Sequence, residues 1–281
     1  MISIVIPAHN ESSVIARTLS AITDGASAGE LDVVVVCNGC IDDTATIARR
    51  FGQLVRVIET PHAGKPYALN LGDAMATDFP RIYVDADIVI TLDAIRVLAN
   101  RLARGDVLVV APTPKVDLTG CSWPVRAVFD IRSRLPSARE GIGGSGVYAL
   151  SELGRRRFRE FPELTADDGY VRVQFSPRER ETIASASSTP FAPRTIKDLI
   201  STKTRAHYGS LELASLCPGL WENRGEGNSA VLLGLFKHPL LWHKLLLYCL
   251  VALIAKRRAR ICFRTQTFTW QRDETSRVAA E

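Results

Sequence analysis

The sequence predicts an α/β fold: a mostly parallel sheet flanked by helices, with an apolar helical extension at its C-terminal end. Three observations predict it. Short β-branched runs alternate with segments of helical period from residue 2 to residue 111, the pattern that builds a parallel sheet covered on both faces. Polar clusters follow the predicted strands, where open α/β sheets bind ligands. Residues 229–236 and 240–255 are strongly apolar and are followed by a basic run, KRRAR, at 256–260.

The elements follow in order. Residues 2–6 (ISIVI) form a buried-strand run ended by Pro7. Helical spacing over 11–22 places Val14, Ile15, Thr18, Leu19 and Ile22 on one side. Strands follow at 32–36 and 54–58, separated by a helix over 42–51 with Asp42 or Asp43 as its N-cap. A helix over 65–76, a strand over 81–90 (RIYVDADIVI), a helix over 91–103 opened by Thr91 and a strand over 106–111 complete the alternation. Beyond 112, Pro112, Pro114, Pro124 and Pro136 break the chain up, a Gly-rich turn spans 141–146, a basic helix lies around 151–161 and an acidic turn spans 166–171. Residues 176–194 predict loop with short strand pieces, and 195–207 a helix. The expected division is 1–115, 116–210 and 211–281, the first two being halves of one domain.

The bulk numbers describe an ordinary globular chain: 281 residues, 46% hydrophobic, 23% charged, net charge +5. That charge suits an acidic ligand or an anionic membrane, and no nucleic-acid-binding module is recognisable. The six cysteines do not form a disulfide framework, which predicts a reducing compartment. The N-terminal segment predicts a strand rather than a signal peptide. Cys37 and Cys40 form a C-x-x-C, which without the rest of a redox pattern reads more simply as two small side chains in a tight turn.

Asp85 and Asp87 interrupt an apolar run. If the strand continues through both, they share a face, where two carboxylates repel unless they meet solvent or a cation. Oxygen ligands of this kind suit Mg2+ or Mn2+. Four clusters converge on one predicted rim: Pro7–Glu11, Cys37–Asp43, Pro61–Lys65 and Asp85–Asp87.

Four segments, IVIPAHNE at 4–11, VVVCNGCIDDT at 34–44, GKPYALNLG at 64–72 and VDADI at 84–88, come in one order at workable spacings. Together they resemble the donor half of family-2 nucleotide-sugar glycosyltransferases, which have a GT-A fold. The likeness is strong to about residue 115, weaker to about 210 and absent after that. It implies that Pro7, Ala8, Asn10 and Glu11 approach the nucleoside, that Asn38 stands where the family has a base-reading Asp, and that Asp42 matches the next acid. It implies that Lys65 pairs with a phosphate and that Asp87, assisted by Asp85, holds Mn2+ or Mg2+. The catalytic base falls on the acid pair Asp167-Asp168, with Asp168 aligned to the base and Asp167 to the family's preceding Glu. Gly143, Gly144, Ser145 and Gly146 would approach the donor sugar or the acceptor. Arg205, with His207, retains only the arginine of the processive enzymes' Gln-x-x-Arg-Trp, which argues against a chain-extending synthase.

The function implied is inverting, metal-assisted transfer from a nucleoside-diphosphate sugar to a sugar or lipid-linked acceptor, in cell-envelope glycan, glycolipid or polysaccharide synthesis. The apolar tail contains His243 and Lys244 and its run is short for a span, so a helix pair on an anionic membrane surface is expected, on the cytoplasmic face. Two other readings compete. DADIVI also fits a haloacid-dehalogenase-like phosphatase with Asp85 as nucleophile, but three strand units precede it. An inactive, membrane-docked nucleotide-sugar binder accommodates the Asn38 departure but not the intact acid pairs.

Overall fold

Eight strands form a single mixed sheet, in the order β3-β2-β1-β4-β7-β6-β8-β5. The computed structural model describes residues 1–225, 227–267 and 275–277. The first half is the predicted alternation: β1 (Ile2–Ala8), α1 (Ile15–Thr23), β2 (Leu31–Asn38), α2 (Thr44–Arg49), β3 (Val55–Thr60), α3 (Lys65–Met75), β4 (Arg81–Val84), β5 (Val89–Ile90), α4 (Leu92–Leu102) and β6 (Val109–Pro114). Strands β3, β2, β1 and β4 are mutually parallel, and β6 is parallel to β8. Strand β7 (Val147–Leu150) runs antiparallel between β4 and β6, and β5 is antiparallel to β8 (Arg180–Thr189).

Alternation along each strand divides the core. Ile4, Ile6, Val33 and Val35 face α1, α2 and α4 in one cluster. Val5, Tyr83 and Tyr148 join Leu69 of α3 on the other face, and Val34 and Val36 meet Ala68 of the same helix. Thr91 caps α4, its hydroxyl accepting from the Ala94 N–H at 3.3 Å. Pro7 lies within β1 rather than ending it, because β4 pairs with β1 only over Ser3–Val5 and leaves no ladder there for the missing N–H to break.

The second half departs further from expectation. Pro124 does not break the chain but opens a helix, α5 (Trp123–Ser133), sitting in its first turn where no N–H is needed. The basic helix shrinks to α6 (Glu152–Arg155). The acidic turn is the start of a helix, α7 (Asp167–Val173), whose N-terminus favours two acids. Residues expected as loop form the ten-residue β8. Helix α8 runs from Ile196 to Leu216, nine residues beyond the predicted end. It is followed by α9 (Ser229–Leu235) and α10 (Trp242–Thr265).

Helix α10 continues through the KRRAR run and packs along α8 and α5. Leu245, Val251, Ala255 and Ala259 are its buried stripe, while Trp242, Leu246, Leu250, Leu253 and Ile261 are exposed. Pro239–Thr265 is long and apolar enough to cross a membrane by length and composition. All six cysteines are free.

Candidate active site

Strand β4 stops at Val84, and Asp85–Ile88 is a turn closed by the Ile88 N–H on the Asp85 carbonyl at 3.1 Å. Asp85 and Asp87 are therefore turn residues, not alternate positions of a continuous strand. One helix and a loop hold the turn. Thr18 of α1 donates to the Ala86 carbonyl at 2.8 Å and Arg17 to the Asp87 carbonyl at 3.2 Å. The Asp85 N–H donates to the Gly146 carbonyl at 2.9 Å. Gly146 has φ +66°, and a Cβ there would lie 2.5 Å from Ile88 Cγ1, so only glycine lets the 141–146 loop close on the turn.

The two acids take different partners. Asp85 meets Lys65 Nζ at 2.7 Å, and the same ammonium lies 2.9 Å from Asp167. Lys65 opens α3 and Asp167 opens α7, so three elements converge on one charge. Burial opposes the Lys65 charge, but Asp167, Asp85 and Asp168 outweigh it and raise the ammonium above its ordinary value. Burial, against the pull of Lys65 and with Asp168 and Asp85 adding to it, pushes the Asp167 carboxyl up to about 6. Asp168 is half-buried and accepts the Gly169 N–H at 2.7 Å. Gly209 of α8 gives α7 its seat, since a Cβ there would lie 2.8 Å from Ala166 Cβ.

Asp87 instead meets Arg277 at 2.9 Å, and that guanidinium also grips both oxygens of buried Glu11 at 2.8 and 2.9 Å. Thr275 anchors the same short segment by accepting the Arg194 N–H at 3.0 Å. Nothing in the local sequence around Arg277 signals this contact, 266 residues from Glu11.

The other rim residues mainly hold the loops in register. Asn38 is buried; its amide donates to the Ala8 carbonyl at 2.8 Å and accepts the Gly64 N–H at 3.0 Å. Asn10, at φ +54°, accepts the Ile41 N–H at 2.8 Å. Asp42 accepts the Ser12 and Thr44 N–H groups, each at 3.1 Å. Burial opposes its charge, yet hydrogen bonds from Thr44 and Ser12 hold its carboxyl below the usual range. Pro7 and Ala8, the last two residues of β1's ladder, pair with Val36 and Cys37. Cys40 is brought down to about 6 by the hydrogen bond from Cys37, against burial and with help from the Asn10 N–H.

Ser145 is fully buried and bonded to Val147, so its hydroxyl shapes the loop. Gly144 lies at the loop's other side, where a Cβ would stand 3.7 Å from Arg132 Nη2. Arg205 sits mid-α8, two residues from Lys203 and from His207 and therefore turned to the opposite side.

Tyr148 of β7 was not singled out by the sequence. Its ring stacks on Tyr83, and its hydroxyl is buried with no hydrogen-bond partner among the described residues. Burial, then Asp167, Tyr83, Asp85 and Asp168, raise that phenol well above its ordinary value, which puts an unspent donor beside the acid cluster.

Residues 3–144 match the family model described as glycosyl transferase family 2. The chain belongs to that family. As a family-2 glycosyltransferase it shares its fold with solved structures of low identity. A mannosyltransferase from Pyrobaculum calidifontis, in complex with GDP-Man and Mn2+, superposes at TM-score 0.69 with 17% identity, over 95% of this chain and 88% of that one. The glucosyl-3-phosphoglycerate synthase from Mycobacterium tuberculosis, in complex with Mn2+, UDP and glucosyl-3-phosphoglycerate, superposes at TM-score 0.56 with 19% identity, over 78% and 80%. The same enzyme with Mg2+ and UDP gives TM-score 0.56 and 19% identity, over 78% and 79%. No curated protein sequence matches the chain.

The acids of this glycosyltransferase suit a divalent ion. The Asp85–Asp87 turn and Glu11 offer only oxygen donors, and Arg277 already sets a positive charge between Glu11 and Asp87. No group of three ligating side chains converges among the described residues. An ion of the Mg2+ type takes one or two carboxylates and completes its shell with phosphate and water.

Proposed function

We propose that this family-2 glycosyltransferase moves a sugar, with inversion, from a nucleoside-diphosphate donor to an acceptor hydroxyl. The observation that carries the reading is the meeting of Asp85, just past β4, with Lys65 at the start of α3 and Asp167 and Asp168 at the start of α7. The bond between the anomeric carbon and the β-phosphate oxygen breaks, its electron pair leaving with the nucleoside diphosphate. A new bond forms to the acceptor oxygen, whose proton passes to Asp168. Asp167 is committed to Lys65, whereas among the described residues Asp168 makes a local turn bond and keeps solvent access, which favours Asp168 as the base.

Asp87, with Asp85, would hold Mn2+ or Mg2+, which when bound supplies a Lewis acid for the departing diphosphate. Pro7, Ala8, Asn10, Glu11, Asn38 and Asp42 frame the nucleoside side, and Lys65 turns a positive charge toward the phosphates. Residues 1–115 serve the donor, and 116–210 carry the base and meet the acceptor. The exposed apolar side of α10, opposite its stripe on α5 and α8, supports docking of 211–281 on a lipid surface. Basic Lys256, Arg257, Arg258 and Arg260 would meet anionic headgroups at the cytoplasmic face. A cell-envelope glycan or glycolipid product follows from that placement.

Thermal unfolding with UDP-, GDP- and dTDP-sugars, each with Mn2+, tests the donor: one of them raises the midpoint, and none doing so overturns the reading. Asp168→Asn lowers kcat by about 10²–10⁴-fold while retaining the donor-induced shift. Normal turnover by that variant removes Asp168 as the base.

A further inference from the structure

Arg132 of α5 and Lys203 of α8 are deeply set cations that nevertheless keep accessible surface. Neither has a carboxylate partner among the described residues. The nearest acid on α5, Asp130, is committed to Arg134 at 3.0 Å and Lys244 at 2.6 Å. Arg172, on the other side of the glycine loop, is already paired with Glu140. Burial and the neighbouring Arg132 bring the Lys203 ammonium down to about 7. One turn further along α8, burial together with Lys256, Lys203 and Arg260 brings His207 down to about 4. Sunken cations facing one another cost stability unless an anion joins them.

Their position gives that anion a task. Arg132 Nη2 stands 3.7 Å from the Cβ position of Gly144, and Gly146, two residues on, holds Asp85 through its carbonyl. Two residues of chain reach at most about 7 Å. The glycine loop therefore has a cationic pair on one side and the acid cluster on the other. On its far side the pair adjoins Tyr248 of α10, the helix that exposes Leu246, Leu250 and Leu253.

We propose that Arg132 and Lys203 bind a phosphate group carried by the acceptor, and that the glycine loop sets the distance from that phosphate to the reacting centre. This rests on the glycosyltransferase reading and extends it to the class of acceptor. A guanidinium and an ammonium suit a phosphate monoester, the first by its planar fork and the second as a point charge. The phosphate's source is a soluble phosphorylated metabolite or the headgroup of a lipid lying along α10.

Isothermal titration and thermal unfolding are run on the full chain with inorganic phosphate, glycerol 3-phosphate, and phosphatidylcholine vesicles doped with dodecyl monophosphate. Nucleoside diphosphate with Mn2+ is titrated in parallel. Wild type binds phosphate, and Arg132→Gln or Lys203→Gln each weakens it by about tenfold, whereas Lys203→Arg retains it. Affinity for the nucleoside diphosphate is unchanged. In phosphate-free buffer the Gln variants unfold at or above the wild-type midpoint, since each removes an unpaired sunken charge, so lost binding is not lost folding. Binding of glycerol 3-phosphate marks a soluble acceptor; binding confined to the doped vesicles marks a lipid one, and either supports the proposal. It is overturned if none of inorganic phosphate, glycerol 3-phosphate and the doped vesicles shifts wild type more than chloride at equal ionic strength, if Arg132→Gln/Lys203→Gln binds as wild type does to whichever phosphate probe wild type takes, or if nucleoside-diphosphate affinity falls in parallel. Wild type that binds phosphate but no nucleotide sugar overturns the donor assignment instead.

Discussion

The carboxylate rim and the cationic seam lie on opposite sides of one glycine loop and treat charge in opposite ways. At the rim the key acids are paired within the protein: Asp85 and Asp167 share Lys65, while Glu11 and Asp87 share Arg277. In the seam Lys203 has Arg132 on one side and His207 one turn along α8, with Lys256 and Arg260 close to His207. A rim neutralised from within is preorganised and stable before its ligands arrive. A seam left unneutralised gives up stability in the free protein and recovers it on binding an anion.

Removing the rim's internal cation should erase that contrast and gives the largest effect on folding. Lys65→Met leaves Asp85 and buried Asp167 facing each other without compensation. Breaking such a pair costs about 3–5 kcal/mol, nearer the low end here because Asp85 keeps solvent contact. Chemical denaturation at neutral pH measures the loss, and the variant should recover part of it in acid as Asp167 takes up a proton.

Next in size is the glycine that couples the two regions. Gly146→Ala forces a side chain into positive φ and against Ile88, at a cost of about 1–3 kcal/mol. The damage should be local to the Asp85–Ile88 turn, so Mn2+-dependent donor binding falls further than global stability does. A variant with normal donor binding would show that the loop and the turn move independently.

The rim was legible in the sequence and the seam was not. Parallel strands end on a common edge, so residues following β1, β2, β3 and β4 had to meet there, whatever their individual roles. Alternation cannot say where a strand stops, however, and Asp85 and Asp87 proved to be turn residues with separate partners. Pro124 hid α5 because proline breaks a helix interior but suits its first turn. Without α5 there was no place for Arg132. Tyr148 and Lys203 carry no local motif, and their significance lies in what is missing around them. The Glu11–Arg277 pair is invisible for the plainest reason: chain separation says nothing about contact.

Titration sharpens the comparison at a smaller scale. The Asp167 carboxyl is raised in the folded state to about 6, above its ordinary range. Between that range and about pH 6 the folded protein holds a proton that the unfolded chain has released. This contribution to stability is therefore present in acid and lost as pH rises through 6. Asp167→Asn should flatten that limb of the stability profile. If catalysis needs Asp167 ionised against Lys65, wild-type kcat/KM should rise through the same interval, and pH–rate profiles of the two proteins decide it.

The smallest expected effect concerns the cation that the rim borrows from far along the chain. Arg277 and a divalent ion both seek the Asp87 carboxylate, and they compete for it. Arg277→Ala should lower the Mn2+ concentration that half-saturates donor binding, by a few-fold, because the ion no longer displaces a guanidinium held also by Glu11. Global stability should also fall, since buried Glu11 loses its guanidinium partner while the partly exposed Asp87 regains water. Titrating Mn2+ at fixed nucleoside diphosphate reads this directly. A higher Mn2+ requirement in the variant would mean that Arg277 helps to bind the donor, and that the pairing at Asp87 is part of the loaded site rather than a placeholder for its ion.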